Sequence, residues 1–209
     1  MEFFAGSIEW ARRVALLPGS FHPPTKAHEG LAIAALDRVD AVVFVLPRAF
    51  PHKAYDDVSL ADRLQMLAGL AAGERRFAVA ISDGGLFIEM AREVRRCVAH
   101  IETPYVLCGR DAAERIVSWH YDADTSIERQ LAEYRLLAAS RDGAFQPPDS
   151  LSGFVETIEA NWDEVSSTAV RQAIACGAAW RHLVPARIHA EVERLYSRSR
   201  LDSKNARSL

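Results

Sequence analysis

The chain has 209 residues, enough to bury a substantial core and suited to one domain with at most a small appendage. Hydrophobic residues make up 49% and charged residues 25%, and the net charge of −3 excludes a global basic field for nucleic acid. No apolar run approaches the ~20 residues that span a bilayer, and residues 1–13, broken by Glu2, Glu9 and two arginines, do not read as a secretory signal.

In chain order, the first informative element is Val-Ala-Leu-Leu at 14–17. It is short, apolar and continuous, which predicts a strand buried on both faces. Gly19-Ser-Phe-His-Pro-Pro-Thr-Lys-Ala-His28 follows, and a helix is predicted over 31–36. A small-residue turn between strand and helix suits phosphate, because free N–H groups and the positive end of the helix dipole point the same way. His28 near the helix start can donate to a phosphate oxygen and follow the charge that develops there. The plainer alternative, a tight turn with an exposed histidine, fits this segment equally well.

Runs at 41–46, 77–81 and 105–108 predict three more buried strands. Leu60, Leu64, Leu67 and Leu70 recur at helical spacing behind Asp57 or Ser59 as N-cap, and Leu86, Phe87, Met90 and Val94 repeat the pattern. This alternation predicts a Rossmann-like, doubly wound α/β fold with a mainly parallel sheet. Such sheets bind ligands at the carboxyl ends of their strands, where the turn at Gly19 lies. A fifth strand is predicted over 134–139 and a sixth over 154–158, separated by the breaker Gln146-Pro-Pro-Asp149. Helices over 167–175 and 186–196 would form a small C-terminal helical part of a single domain, 1–196. The polar tail 197–209 is expected to be disordered.

The three cysteines, Cys97, Cys108 and Cys176, are odd in number and form no C-x-x-C pair, so neither a zinc site nor a disulfide framework is expected, and a reducing cytoplasm fits. The seven histidines do not cluster with acids at metal-ligand spacing, so no protein-held metal is predicted.

Val165-Ser-Ser-Thr-Ala-Val-Arg171 is the second informative segment. Ser166, Ser167 and Thr168 sit at an inferred helix start with Arg171 one turn in, a combination of hydroxyls, N–H groups and guanidinium that cradles polyphosphate. Alone, it reads more readily as a Ser/Thr N-cap with a solvated arginine.

Together the two segments carry a resemblance. The first is similar to the [H/T]-x-G-H phosphate motif of the nucleotidyltransferase superfamily, and the second to its I-S-S-T-x-x-R motif. Pro51-His52-Lys53, Arg63-Leu-Gln-Met-Leu67, Cys108-Gly-Arg-Asp111 with Trp119-His120, and Leu183-Val-Pro185 match, in order, motifs of the nicotinate/nicotinamide mononucleotide adenylyltransferases. The pattern differs in places: Thr25 for the first histidine, Ala27 for glycine, His22 for Asp or Asn, and Ser82-Asp-Gly-Gly-Leu-Phe87 where bacterial members carry S-Y-T.

The resemblance implies transfer of AMP from ATP to the phosphate of a pyridine mononucleotide, with pyrophosphate released and Mg²⁺ carried on the triphosphate. It implies that Gly19, Ser20 and Phe21 offer backbone donors, that Thr25 adds a hydroxyl, and that His28 holds the α-phosphate. Lys53 would reach the phosphates from a loop. Ser166, Ser167, Thr168 and Arg171 would bind the β- and γ-phosphates. Gly109 and Asp111 would meet a ribose, Trp119 would stack on the pyridine ring, and Arg141 would reach the acceptor phosphate. Two other readings stay open: the same chemistry on another phosphorylated acceptor such as phosphopantetheine, and a non-catalytic nucleotide-binding protein on this scaffold.

Overall fold

The structure is a computed structural model and describes residues 1–48, 58–101, 103–118, 126–140, 145–160 and 165–205, with side chains for all of these except Ser140 and 198–205. Its centre is a seven-stranded sheet. The strands are β1 (Glu2–Ala5), β2 (Val14–Pro18), β3 (Ala41–Pro47), β4 (Phe77–Ser82), β5 (Tyr105–Gly109), β6 (Arg135–Ser140) and β7 (Val155–Glu159). They lie in the order β1-β4-β3-β2-β5-β6-β7. Every pairing is parallel except that of β1 with β4.

Alternation along each inner strand sorts the core into two layers. Ala15, Leu17, Val42, Phe44, Leu46 and Val79 face α1 (Lys26–Ala35) and α2 (Leu60–Ala71). Val14, Leu16, Val43 and Val45 face Met90 and Val94 of α3 (Phe87–Cys97). On that same side, α4 (Arg110–Ser118) and α5 (Ile127–Leu131) cover Val106, Leu136 and Ala138. Strands buried on both faces explain why their sequences read as unbroken apolar runs.

α6 (Ser167–Cys176) and α7 (His189–Asn205) pack a separate apolar cluster, Val170, Ile174, Trp180, Val184, Ile188 and Val192, against Met66 of α2 and Val58 just before it. Leu183-Val-Pro185 lies here. Val184 is fully buried, and just beyond Pro185 the Arg187 guanidinium pairs with Glu29 of α1 and donates to Leu70 O of α2 at 3.1 Å. The helical C-terminal part is thereby tied to both helices beside the Gly19 turn.

Several elements differ from expectation. α1 begins five residues before the predicted start, at Lys26, because Thr25 takes the N-cap directly after Pro23-Pro24. Leu86 is not part of an apolar stripe; it is the N-cap of α3 and is 58% exposed. α7 continues past Tyr196 to Asn205, into residues expected to be disordered. No proline or glycine interrupts that stretch, and its arginines, leucine and lysine are good helix formers. β1, α4 and α5 are elements the sequence reading did not anticipate.

The chain leaves β2 for β3 on one side and enters β5 on the other, so the switch point of the sheet lies between β2 and β5. These strands pair only at Ala15–Tyr105 and Leu16–Val106, leaving their carboxyl ends apart. Gly19 and Gly109 flank that opening, the place where open α/β sheets bind ligands.

Candidate active site

The turn after β2 is held from beneath. Gly19 N–H donates to Val45 O at 3.2 Å. A Cβ on Gly19 would stand 2.9 Å from Cζ of Phe21, so the ring needs glycine above it. Phe21 takes a left-handed φ of 46° and buries its ring edge-on between His28 and Phe44, at centroid distances of 5.1 and 5.7 Å. From α2, Arg63, only 5% exposed, donates to Ser20 O at 3.3 Å. This buried cation was hidden in the leucine stripe of the motif that contains it. Arg63→Met keeps the apolar stem but removes the donor; it is expected to cost about 1–3 kcal/mol of stability in denaturant melts.

His28 is the N3 residue of α1, and its Nδ1 accepts the backbone N–H of the N-cap Thr25 at 3.0 Å. This is the reach-back arm of a capping box. Thr25 Oγ1 also lies 2.8 Å from Nδ1. A backbone N–H can only donate, so Nδ1 must be bare and the single proton of the neutral ring sits on Nε2. Burial holds the imidazole pKa down at about 4. His28 is therefore a neutral Nε2–H donor at physiological pH.

That pKa has a consequence for stability. The unfolded chain takes up a proton on this imidazole near 6.5, whereas the folded one resists until about 4. Between those values the unfolded state binds more protons, so stability is complete above pH 6.5 and declines as pH falls toward 4. We expect the loss to reach about 3 kcal/mol. Chemical denaturation of wild type and His28→Gln at pH 7 and pH 4 measures it. The wild type should lose more than the variant, whose amide does not titrate.

α6 brings the second segment onto this turn. Ser166 is its N-cap, with Oγ accepting from Ala169 N–H at 3.1 Å. Ser167 Oγ donates to Pro23 O at 2.8 Å, and Arg171 Nη1 donates to His22 O at 2.6 Å. Arg171 Nη2 also reaches Thr168 Oγ1 at 3.3 Å, which leaves other N–H groups of the fork for an anion. The His22 ring meets Tyr196 of α7 edge-on at 5.2 Å. Two segments almost 150 residues apart in sequence thus share consecutive carbonyls of one loop.

Two expectations change here. Thr25 is fully buried and turned onto His28, so it orients the imidazole instead of offering a hydroxyl to phosphate. Ser167 spends its hydroxyl proton on Pro23 O, which makes it a clasp of the cradle. Ser166 and Thr168 remain exposed.

Across the switch point, a cleft of about 260 Å³ is lined by Ala27 and Leu31 of α1, Gly109, Asp111 and, from the adjoining strand ends, Ala139 and Ala160. A Cβ on Gly109 would meet nothing within 4 Å, so the backbone there faces open space. Arg110 and Arg115 also line it. Neither was singled out in the sequence; the available signal was two cations in the first turns of the helix after Cys108-Gly. Cys108 takes no part as a nucleophile, since burial pushes its thiol up to about 12. Lys53, Trp119 and Arg141 lie outside the described residues. Among those described, no three His, Cys, Asp or Glu side chains gather as a metal site, and no helix is long and apolar enough to cross a membrane.

A sheet of this order, with a phosphate-suited turn at its switch point and a second helix start clasped onto that turn, defines a nucleotide-binding α/β protein. The chain belongs to the cytidylyltransferase-like family, whose family model matches residues 16–173. The probable nicotinate-nucleotide adenylyltransferase of Exiguobacterium sibiricum is 26% identical over 189 residues, which cover 87% of this chain and 96% of that protein. The one from Pseudomonas entomophila is 28% identical over 208 residues, covering 87% and 93%. Among solved structures, Plasmodium falciparum nicotinic acid mononucleotide adenylyltransferase complexed with NaAD superposes with a TM-score of 0.62 at 17% identity, over 88% of this chain and 95% of that one. The fold is shared with these structures, and the resemblance read from the ordered motifs holds.

Proposed function

We propose that this protein transfers AMP from ATP to the phosphate of nicotinate or nicotinamide mononucleotide. The observation that carries the reading is the clasp of Ser167 and Arg171 onto the carbonyls of Pro23 and His22, which joins the two anion-suited segments into one site. The relatives' names support the acceptor class.

An oxygen of the acceptor phosphate, already ionised, attacks the α-phosphorus as the bond to the bridging oxygen of pyrophosphate breaks. No base is needed, and catalysis lies in aligning two anions and neutralising charge. His28 donates Nε2–H to the α-phosphate, and the backbone at Gly19, Ser20 and Phe21 lines its approach. Ser166, Thr168 and Arg171 hold the leaving β- and γ-phosphates. Gly109 and Asp111 accept a ribose in the cleft beside Ala27, and Arg110 and Arg115 add positive charge there. Lys53, Trp119 and Arg141 keep the roles the resemblance implies. ATP enters as its magnesium complex, with the ion held by phosphate oxygens and water.

Pyrophosphate release with ATP, Mg²⁺ and a panel of acceptors tests this. Release with a pyridine mononucleotide and not with phosphopantetheine is expected. Release with phosphopantetheine alone would reassign the acceptor, and ATP binding without turnover would make the protein a binding module.

A further inference from the structure

At the amino ends of β2, β5 and β6, opposite the edge that carries the phosphate segments, lies a concavity of about 760 Å³. Glu9, Trp10, Arg12, Arg13, His100 and Arg135 help to line it. The volume is that of a small-molecule site. Among the described residues that line it, three guanidinium groups and an imidazole accompany the carboxylate of Glu9, with Asp40 and Glu156 beside Arg13, in a chain whose net charge is −3.

The local structure holds these groups in place. Asp40 Oδ2 accepts the backbone N–H groups of Arg12 and Arg13 at 2.9 and 2.8 Å, fixing where both side chains leave the chain. Arg13 donates to Tyr105 Oη at 2.8 Å, and Glu156 lies 3.8 Å from its Nη2. Tyr105 Oη in turn donates to Glu156 Oε1 at 2.7 Å, which ties that carboxylate to the tyrosine and Arg13. His100 Nε2 is anchored on Ala11 O at 2.8 Å. The guanidinium of Arg135 makes no hydrogen bond or ion pair among the described residues, and that of Arg12 makes none within salt-bridge distance, with only the longer-range attraction of the Asp40 carboxylate acting on it. Beside them, Trp10 donates its indole N–H to Ser7 O at 3.1 Å, yet the residue remains 55% exposed.

A fixed, exposed aromatic plane next to unpaired arginines matches a ligand with a flat ring and a phosphate. The ring stacks on indole, and the phosphate takes the guanidinium fork. We propose that this pole of the sheet is a second nucleotide site, with Trp10 as the stacking face and Arg12 and Arg135 as the phosphate ligands.

Equilibrium dialysis with labelled ADP tests it, independently of whether AMP is ever transferred. Wild type should bind two ADP per chain, and Arg12→Glu/Arg135→Glu only one, with an unchanged Tm. Arg12→Gln/Arg135→Gln carries the same expectation should charge reversal disturb the fold. Trp10→Ala should weaken the second site by more than about tenfold, within the range of base–aromatic stacking. Inorganic pyrophosphate, which lacks the ring, should compete there poorly. Equal ADP stoichiometry in wild type and the folded double variant, or pyrophosphate binding there as tightly as ADP, would overturn the proposal.

Discussion

His28→Ala is expected to lower kcat by about 10²–10³, the range for removing one preorganised donor from a developing oxyanion, while the KM for ATP changes far less. The expectation rests on how this imidazole is held. Thr25 N–H occupies Nδ1 at 3.0 Å, the Phe21 ring packs against it at 5.1 Å, and burial keeps it neutral down to about 4. A neutral donor with one available N–H loses little in the ground state and gains as charge accumulates on the α-phosphate. Protonation of His28 should also leave no inflection in the rate between pH 6 and 8. Steady-state kinetics of wild type and His28→Ala decide both points. Near wild-type turnover would remove His28 from the mechanism.

Arg171→Ala is expected to raise the KM for ATP by about 10–100-fold, the worth of one or two hydrogen bonds to a charged group, and to leave the acceptor's KM nearly unchanged. The asymmetry follows from position. Arg171 sits one turn into α6 beside the N-cap Ser166, and its fork already spans His22 O and Thr168 Oγ1. Arg171→Lys should recover little, because a single ammonium nitrogen lacks the planar fork whose two nitrogens reach His22 O and Thr168 Oγ1. Equal loss for both substrates would contradict a role on the leaving pyrophosphate.

The inner strands could be read from the sequence because a parallel strand covered on both faces has nothing but apolar residues to show, as in 41–46. β1 escaped notice because its four residues alternate between exposed and half-buried at the sheet edge. α4 buries only Ala113 and Ile116 and α5 only Ile127 and Leu131, too few apolar positions to set a period. In the site, the spacing of Ser166, Ser167, Thr168 and Arg171 pointed to one helix start, and the fold places them there. Where each hydroxyl is aimed was beyond spacing. Thr25 turns inward to His28 and Ser167 clasps Pro23, both decided by tertiary contacts between distant segments. Arg63 sits among leucines on the buried face of α2, where a charged residue reads as solvent-facing until its partner, the Ser20 carbonyl, is known.

Attack on the α-phosphorus of ATP is what separates adenylyl transfer from the other readings. Incubation with nicotinate mononucleotide and ATP labelled at the α-phosphorus should place the label in the dinucleotide product, mole for mole with unlabelled pyrophosphate. Label left in ATP, or released as AMP with the mononucleotide untouched, would contradict it.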